Sequence, residues 1–230
     1  MSESKAWELT PSAPPALLAR RAAGVAAGTL LVALAAQVSI PLPGTPVPFT
    51  LQGPAVLIVG GLLGAGLGAT SLSLYLLLGA LGLPVFAPVG LPGLARLLGP
   101  TGGYLLAFPL AAACVGRWAA PRRMWRCIAA AVAGLILIHA GGVAQLAALG
   151  GDLTIAMRLG TVPFLLMDSA KALMAAVLIC RFAGTIRARY QVSGVRGQGH
   201  TLRPDRPTPG ARHPIPDTRF SHDHRYPHLP

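Results

Sequence analysis

The sequence predicts an all-α integral membrane protein, a six-transmembrane-helix bundle with N- and C-termini cytoplasmic, and three observations point there. The first is where charge is missing. Residues 22–95, 97–116 and 127–151 contain no Asp, Glu, Lys or Arg, and 11% of the 230 residues are charged, against about 25% in an ordinary soluble domain. A charge at mid-bilayer costs roughly 2.5 kcal/mol or more, so lipid demands such runs and a water-soluble core does not. The second is segment length. At 1.5 Å per residue, about 17–25 apolar residues cross a hydrocarbon core of about 30 Å, and the chain, with a mean hydropathy of +0.59, divides repeatedly on that ruler. The third is the lopsided placement of arginine, which follows the positive-inside pattern.

Residues 1–19 are polar and proline-spotted, and read as a cytoplasmic lead. Arg20-Arg21 precedes the apolar run 22–40. That run exceeds the 7–15 residues of a signal-peptide core, and further apolar segments follow it, so it is expected to be a retained first crossing. Crossings at about 54–70 and 71–87 follow, joined by almost no loop near residues 69–71. One crossing plus a re-entrant piece would also fit that stretch. The remaining crossings fall at about 101–119, 127–149 and 160–182. The ten-residue alternation of a transmembrane β-barrel is absent. The membrane domain is thus expected over 20–190. Beyond it, residues 191–230 are rich in Arg, Pro and His, and too poor in large aliphatics to build a core.

With six crossings, Lys5, Arg20, Arg21, Arg117, Arg122, Arg123, Arg126, Arg181, Arg187 and Arg189 share one side, and Arg96 and Arg158 fall opposite. That distribution places both termini in the cytoplasm, the chain passing repeatedly through a membrane. The net charge of +12 therefore reflects topology rather than a nucleic-acid face. Cys114, Cys127 and Cys180 have no metal-ligand spacing and are expected to be reduced thiols near the cytoplasmic side. His222, His224 and His228 belong to the solvated tail, and no metal site is expected.

Small residues mark close helix contacts. Gly60, Gly64 and Gly68 repeat every fourth position and read as packing within the bundle. Ala22/Ala26 and Ala23/Ala27 repeat in the same way in the first crossing.

Three polar centres interrupt the apolar chain. Asp168 and Lys171, spaced i, i+3 on one helical face, form an acceptor and a donor inside the sixth crossing. Asp168 is expected about 12 Å down its axis if that helix starts near Gly160. Intramembrane charges usually line a cavity or substrate path. A cyclic urea or amide, with N–H beside C=O, asks for such a pair. Arg96 stands just before Gly99-Pro100-Thr101-Gly102-Gly103-Tyr104, where Thr101 is a candidate N-cap. An arginine near a helix N-terminus suits a carboxylate. Pro41, Pro43, Pro46 and Pro48 stiffen the first external loop, which ends in Thr50 and Gln52 and reads as a lid or wall over a pocket. His139, midway along an apolar helix, reads as a hydrogen-bonded interior histidine rather than a relay.

Taken together these segments resemble the BioY family of biotin-specific substrate-binding components of energy-coupling-factor (ECF) transporters. The residues that carry the resemblance are Val47-Pro48-Phe49-Thr50-Leu51-Gln52, the stretch from Tyr75 through Gly79, Pro84 and Phe86, Gly99-Pro100-Thr101-Gly102-Gly103-Tyr104-Leu105, and Pro163-Phe164 through Asp168-Ser169-Ala170-Lys171. The resemblance implies biotin uptake, with biotin as ligand rather than cofactor, and no chemistry of the chain's own. It also implies partners: a membrane coupling protein and two ABC-type ATPases, met through alanine faces such as Ala22, Ala23, Ala26 and Ala27. The absence of a GxxxxGK[ST] loop agrees that energy comes from elsewhere.

Binding residues implied are Arg96, Asp168 and Lys171. Some relatives place an asparagine near the end of the third crossing. This chain has no Asn, and Gln52, Tyr75 and Tyr104 are the candidates to replace it. The expected division gives the ureido group to Asp168 and Lys171, the carboxylate to Arg96 at the outer rim, and the mouth to Thr50 and Gln52. Rival readings are a capture subunit for thiamin or riboflavin, disfavoured by 6% aromatic content, and an intramembrane enzyme, disfavoured by the lack of a second deep carboxylate or an HExxH motif.

Overall fold

The computed structural model describes residues 14–190, and within them the protein is helical apart from one short hairpin. Helix α1 (Pro15–Gln37) begins inside the segment expected to be a cytoplasmic lead, with a proline in its first turn where the missing N–H is harmless. Residues 1–13 and the 191–230 tail lie outside the described residues. Strands β1 (Ser39–Ile40) and β2 (Phe49–Thr50) pair antiparallel, Ser39 opposite Thr50 and Ile40 opposite Phe49. The proline-rich loop is therefore closed at its base by paired strands.

Helices α2 (Gln52–Leu63) and α3 (Ala65–Ala80) follow. The chain breaks at Gly64, not near residues 69–71 as the segment lengths suggested. Gly64 has φ +86°, a conformation only glycine adopts without strain, and it ends one helix as it starts the next. The glycine stripe packs within the bundle as expected, but not along one helix. A side chain at Gly60 would meet the backbone of Ala112, and one at Gly68 would meet the Cα of Gly60 across the break.

Next come α4 (Leu94–Leu98), α5 (Gly102–Trp118), α6 (Met124–Gly150), α7 (Leu153–Gly160), a 3-10 turn (Val162–Phe164) and α8 (Leu165–Ala188). Among the described residues, three stretches are long and apolar enough to cross a membrane: Pro15–Gln37, Met124–Gly150 and Leu153–Ala188. The last is not one regular helix. Asp152 caps α7 by accepting from the Ile155 N–H at 2.9 Å, and Pro163 in the 3-10 turn precedes α8. Asp168 consequently lies in the first turn of α8, much nearer a helix end than a start at Gly160 implied.

Hydrogen bonds define two ends of the bundle. At one, Arg21 Nε donates to the Tyr190 carbonyl at 3.2 Å, and Arg187 donates through Nε (2.9 Å) and Nη2 (2.6 Å) to the Gly61 carbonyl and through Nη1 (3.2 Å) to that of Ala119. The beginning of α1 and the ends of α2, α5 and α8 are thereby tied together by arginines. At the other end, Thr45 Oγ1 donates to the Leu159 carbonyl at 2.7 Å, and Gln145 Nε2 donates to those of Leu97 (2.9 Å) and Gly99 (2.7 Å). The core between them is small and close-packed, with Leu57, Leu72, Val115, Ala175 and Ile179 essentially without exposure. Large aliphatics including Leu34, Leu110, Ile136, Leu166 and Leu173 face outward, the arrangement expected of a chain solvated by lipid. Cys114, Cys127 and Cys180 are free thiols.

Candidate functional site

The hairpin, the 84–98 segment and helices α5, α6 and α8 converge on a cleft at the end opposite the arginine cluster. Counted together with the space open at its mouth, it spans about 710 Å³. Its apolar wall is aromatic and aliphatic: Phe86, Phe108, Phe164, Leu105, Leu135 and Ile138. Its polar lining is Thr50, Gln52, Arg96, Thr101, Tyr104, His139 and Asp168. The low overall aromatic content hid this concentration around one cavity.

Asp168 is held at both oxygens. Lys171 Nζ lies 2.9 Å from Oδ1, and His139 Nε2 lies 3.2 Å from Oδ2. The first link is the i, i+3 pairing legible in the sequence; the second reaches across from α6. His139 is thus the hydrogen-bonded interior histidine expected, but its partner is the central carboxylate and it lines the cleft. No spacing rule could find a partner 29 positions away.

Lys171 stands behind the cleft rather than on its wall. Its Nζ also donates to the Thr50 carbonyl at 3.0 Å and sits 3.4 Å from the centroid of the Phe49 ring, a cation–π contact. One lysine therefore ties the acid of α8 to the strand that closes the hairpin. Thr50 Oγ1 in turn accepts from the Gln52 N–H at 3.3 Å, beginning α2. The hairpin is a fixed wall, with Val47, Pro48 and Thr50 facing the cavity.

Gln52 lines the cleft, and Tyr75 does not. Tyr75 has no exposure; its ring is edge-on to Phe86 and stacked toward Phe108. Gln52 Nε2 lies 2.6 Å from the Tyr75 hydroxyl, which leaves the amide oxygen as the acceptor of Gln52 still available to a ligand. Tyr104 lines the cleft directly. Its hydroxyl donates to the Gly160 carbonyl at 2.7 Å, and its ring lies edge-on to His139 with centroids 6.1 Å apart. Gly142 permits that placement, since a side chain there would collide with the Tyr104 ring.

Arg96 departs most from expectation. It is not a solvated rim arginine but is 5% exposed, and its guanidinium donates to the carbonyls of Ala87 and Val89. Gly90, at φ +105°, makes room for it. Three of the five guanidinium N–H groups remain for a ligand. Thr101 occupies the N-cap position of α5 without a side-chain cap bond, and it also lines the cleft.

Ala22, Ala23, Ala26 and Ala27 are all exposed on α1, while Gly24 and Gly28 face inward. The two small-residue stripes of one helix thus point in different directions.

Comparison with known proteins gives a consistent set of relatives. The family model described as "BioY family" matches residues 4–188. A protein of Thermotoga maritima named as a biotin transporter BioY is 42% identical over 66% of this chain and 89% of its own length. A probable biotin transporter BioY of Pyrococcus horikoshii is 39% identical over 70% of this chain and 94% of its own. Among solved structures, the crystal structure of the S-component for biotin from an ECF-type ABC transporter superposes with a TM-score of 0.65 at 25% identity, covering 79% of this chain and 96% of that one.

Proposed function

The chain belongs to the BioY family, and from that premise we propose that its cleft captures biotin for uptake across the membrane. It is the substrate-binding component of a transporter and not an enzyme. The observation that carries the site assignment is Asp168, a carboxylate on the cleft wall with both oxygens already oriented by cations or donors from two helices. Each carboxylate oxygen keeps a further lone pair, and the ureido N–H groups of biotin supply the missing donors. The Gln52 amide oxygen is a second acceptor on the same lining. The apolar ring and valeryl chain lie along Phe86, Phe108 and Ile138. Arg96, with the N-terminus of α5 beside it, takes the terminal carboxylate. Lys171 acts by holding Asp168 and the hairpin in place, and Tyr75 acts by orienting Gln52.

In this reading α1, α2, α3, α5, α6 and α8 each cross the bacterial cytoplasmic membrane, with both termini inside. Support comes from the arginines gathered at one end of the bundle and the cleft at the other, which positive-inside turns outward. Helix α2, 12 residues long, rises only about 18 Å and is the shortest of the six crossings. Energy comes from an ECF module of a coupling protein and two ABC-type ATPases, for which the exposed alanines of α1 offer a close-approach face. No cofactor is required.

The test is uptake of radiolabelled biotin by cells that lack their own biotin transport and express this chain with an ECF module. Uptake is expected to be blocked by excess unlabelled biotin and untouched by thiamin or riboflavin. Competition by either of those vitamins, or no uptake by cells with the chain in the membrane, would overturn the reading.

A further inference from the structure

The most informative unassigned group is the imidazole of His139. Its Nδ1 is buried and has no hydrogen-bond partner among the described residues. A proton there would be left unsatisfied in an apolar interior, so the ring proton belongs on Nε2, which faces Asp168 Oδ2 at 3.2 Å and donates to it. Lys171 holds the other oxygen at 2.9 Å, and is itself pinned to the Thr50 carbonyl and the Phe49 ring, outside the cleft lining. Lys171 leaves Oδ2 of the carboxylate to His139, whose contact from α6 is the second of the two that hold the acid.

We propose that His139 is a positioning residue for ligand capture: its Nε2–H fixes the carboxylate plane of Asp168 so that free lone pairs of the acid face the N–H donors of the bound ligand. The ring lines the cleft, and its contribution to capture runs through Asp168. Tyr104, edge-on to the imidazole, keeps the ring from swinging away. The inference rests on the biotin reading above, and refines which residues set selectivity for a cyclic urea.

The experiment is a double-mutant cycle read by biotin titration of the purified, monodisperse protein. His139→Phe keeps a ring of similar shape against Tyr104 but donates nothing. It is expected to weaken biotin binding about tenfold or more in the parent. In an Asp168→Asn background the same change is expected to matter less than about threefold, because there is no carboxylate to orient. His139→Gln, which restores an N–H donor, is expected to regain most of the loss; it also serves if the Phe variant does not fold. Equal losses in both backgrounds, or parent-like binding by His139→Phe, would show a packing role only and overturn the inference. A folded parent that binds no biotin would overturn the functional reading and this inference with it.

Discussion

Arg96 offers the prediction in which sequence and structure differ most in consequence. A solvated rim arginine would lose on the order of 1 kcal/mol when removed. In the fold, Arg96→Ala strips donors from the Ala87 and Val89 carbonyls. Two hydrogen bonds to a charged group are worth about 1.5–3 kcal/mol each, an upper bound of about 3–6 kcal/mol. Water can reach a loop once it is opened, so the loss should fall at the lower end, near 3 kcal/mol, and appear partly as reduced stability and partly as weaker binding. Arg96→Lys should not rescue, because one ammonium cannot replace a planar fork that holds two carbonyls and still faces a ligand. The assay that isolates the ligand role is titration with biotin and with its uncharged primary amide, on parent and variants of equal monodispersity. The parent should prefer biotin by about tenfold or more, and Arg96→Ala should bring that ratio close to one. If both ligands weaken by the same factor, Arg96 holds the 87–89 segment only, and the carboxylate assignment is wrong.

Three further outcomes follow from the same geometry. Lys171→Met removes the links to Asp168, Thr50 and Phe49 together; with His139 still on the acid, biotin affinity should fall by roughly 2 kcal/mol, about thirtyfold, and proteolysis within the 41–48 hairpin should accelerate. Arg187→Met, at the far end, frees the carbonyls of Gly61 and Ala119. It should lower thermal stability in detergent, by roughly 1–3 kcal/mol, with biotin affinity unchanged, and an affinity loss without a stability loss would contradict the separation of the two ends. Ala27→Trp, on the exposed stripe of α1, should abolish ATP-dependent uptake and co-purification with an ECF module while leaving biotin binding in detergent intact. Normal uptake would remove that stripe from the partner interface.

How much could be read ahead of the structure depended on whether a feature was local. The helical membrane class was legible because lipid imposes its demand on every residue of a span, as in the charge-free run 22–95. Asp168 and Lys171 were legible because three positions on a helix is a short-range geometry. The hairpin was legible as a wall from its prolines, though not as paired strands. By contrast, the break at Gly64 rather than near residues 69–71 depends on one glycine adopting positive φ, in a stretch with several glycines able to do so. The depth of Asp168 was not legible, because Pro163 and the 3-10 turn restart the helix at Leu165. The burial of Arg96 arises from carbonyls 7 and 9 positions back that no side-chain pattern announces. His139 meeting Asp168, and Tyr75 standing behind Gln52, are contacts between helices, and pairings at that distance leave no spacing signal.

The central claim, a cleft for biotin organised around Asp168, is tested most directly by calorimetric titration of the purified chain with biotin, beside its Asp168→Asn variant. The amide substitution keeps the shape but has one acceptor where two are used, and it leaves Lys171 without its counter-charge. The parent should bind one biotin per chain with submicromolar affinity, and the variant should lose about 3 kcal/mol, a hundredfold or more. A folded parent that gives no heat with biotin, or a variant that binds within a few-fold of the parent, would contradict the account.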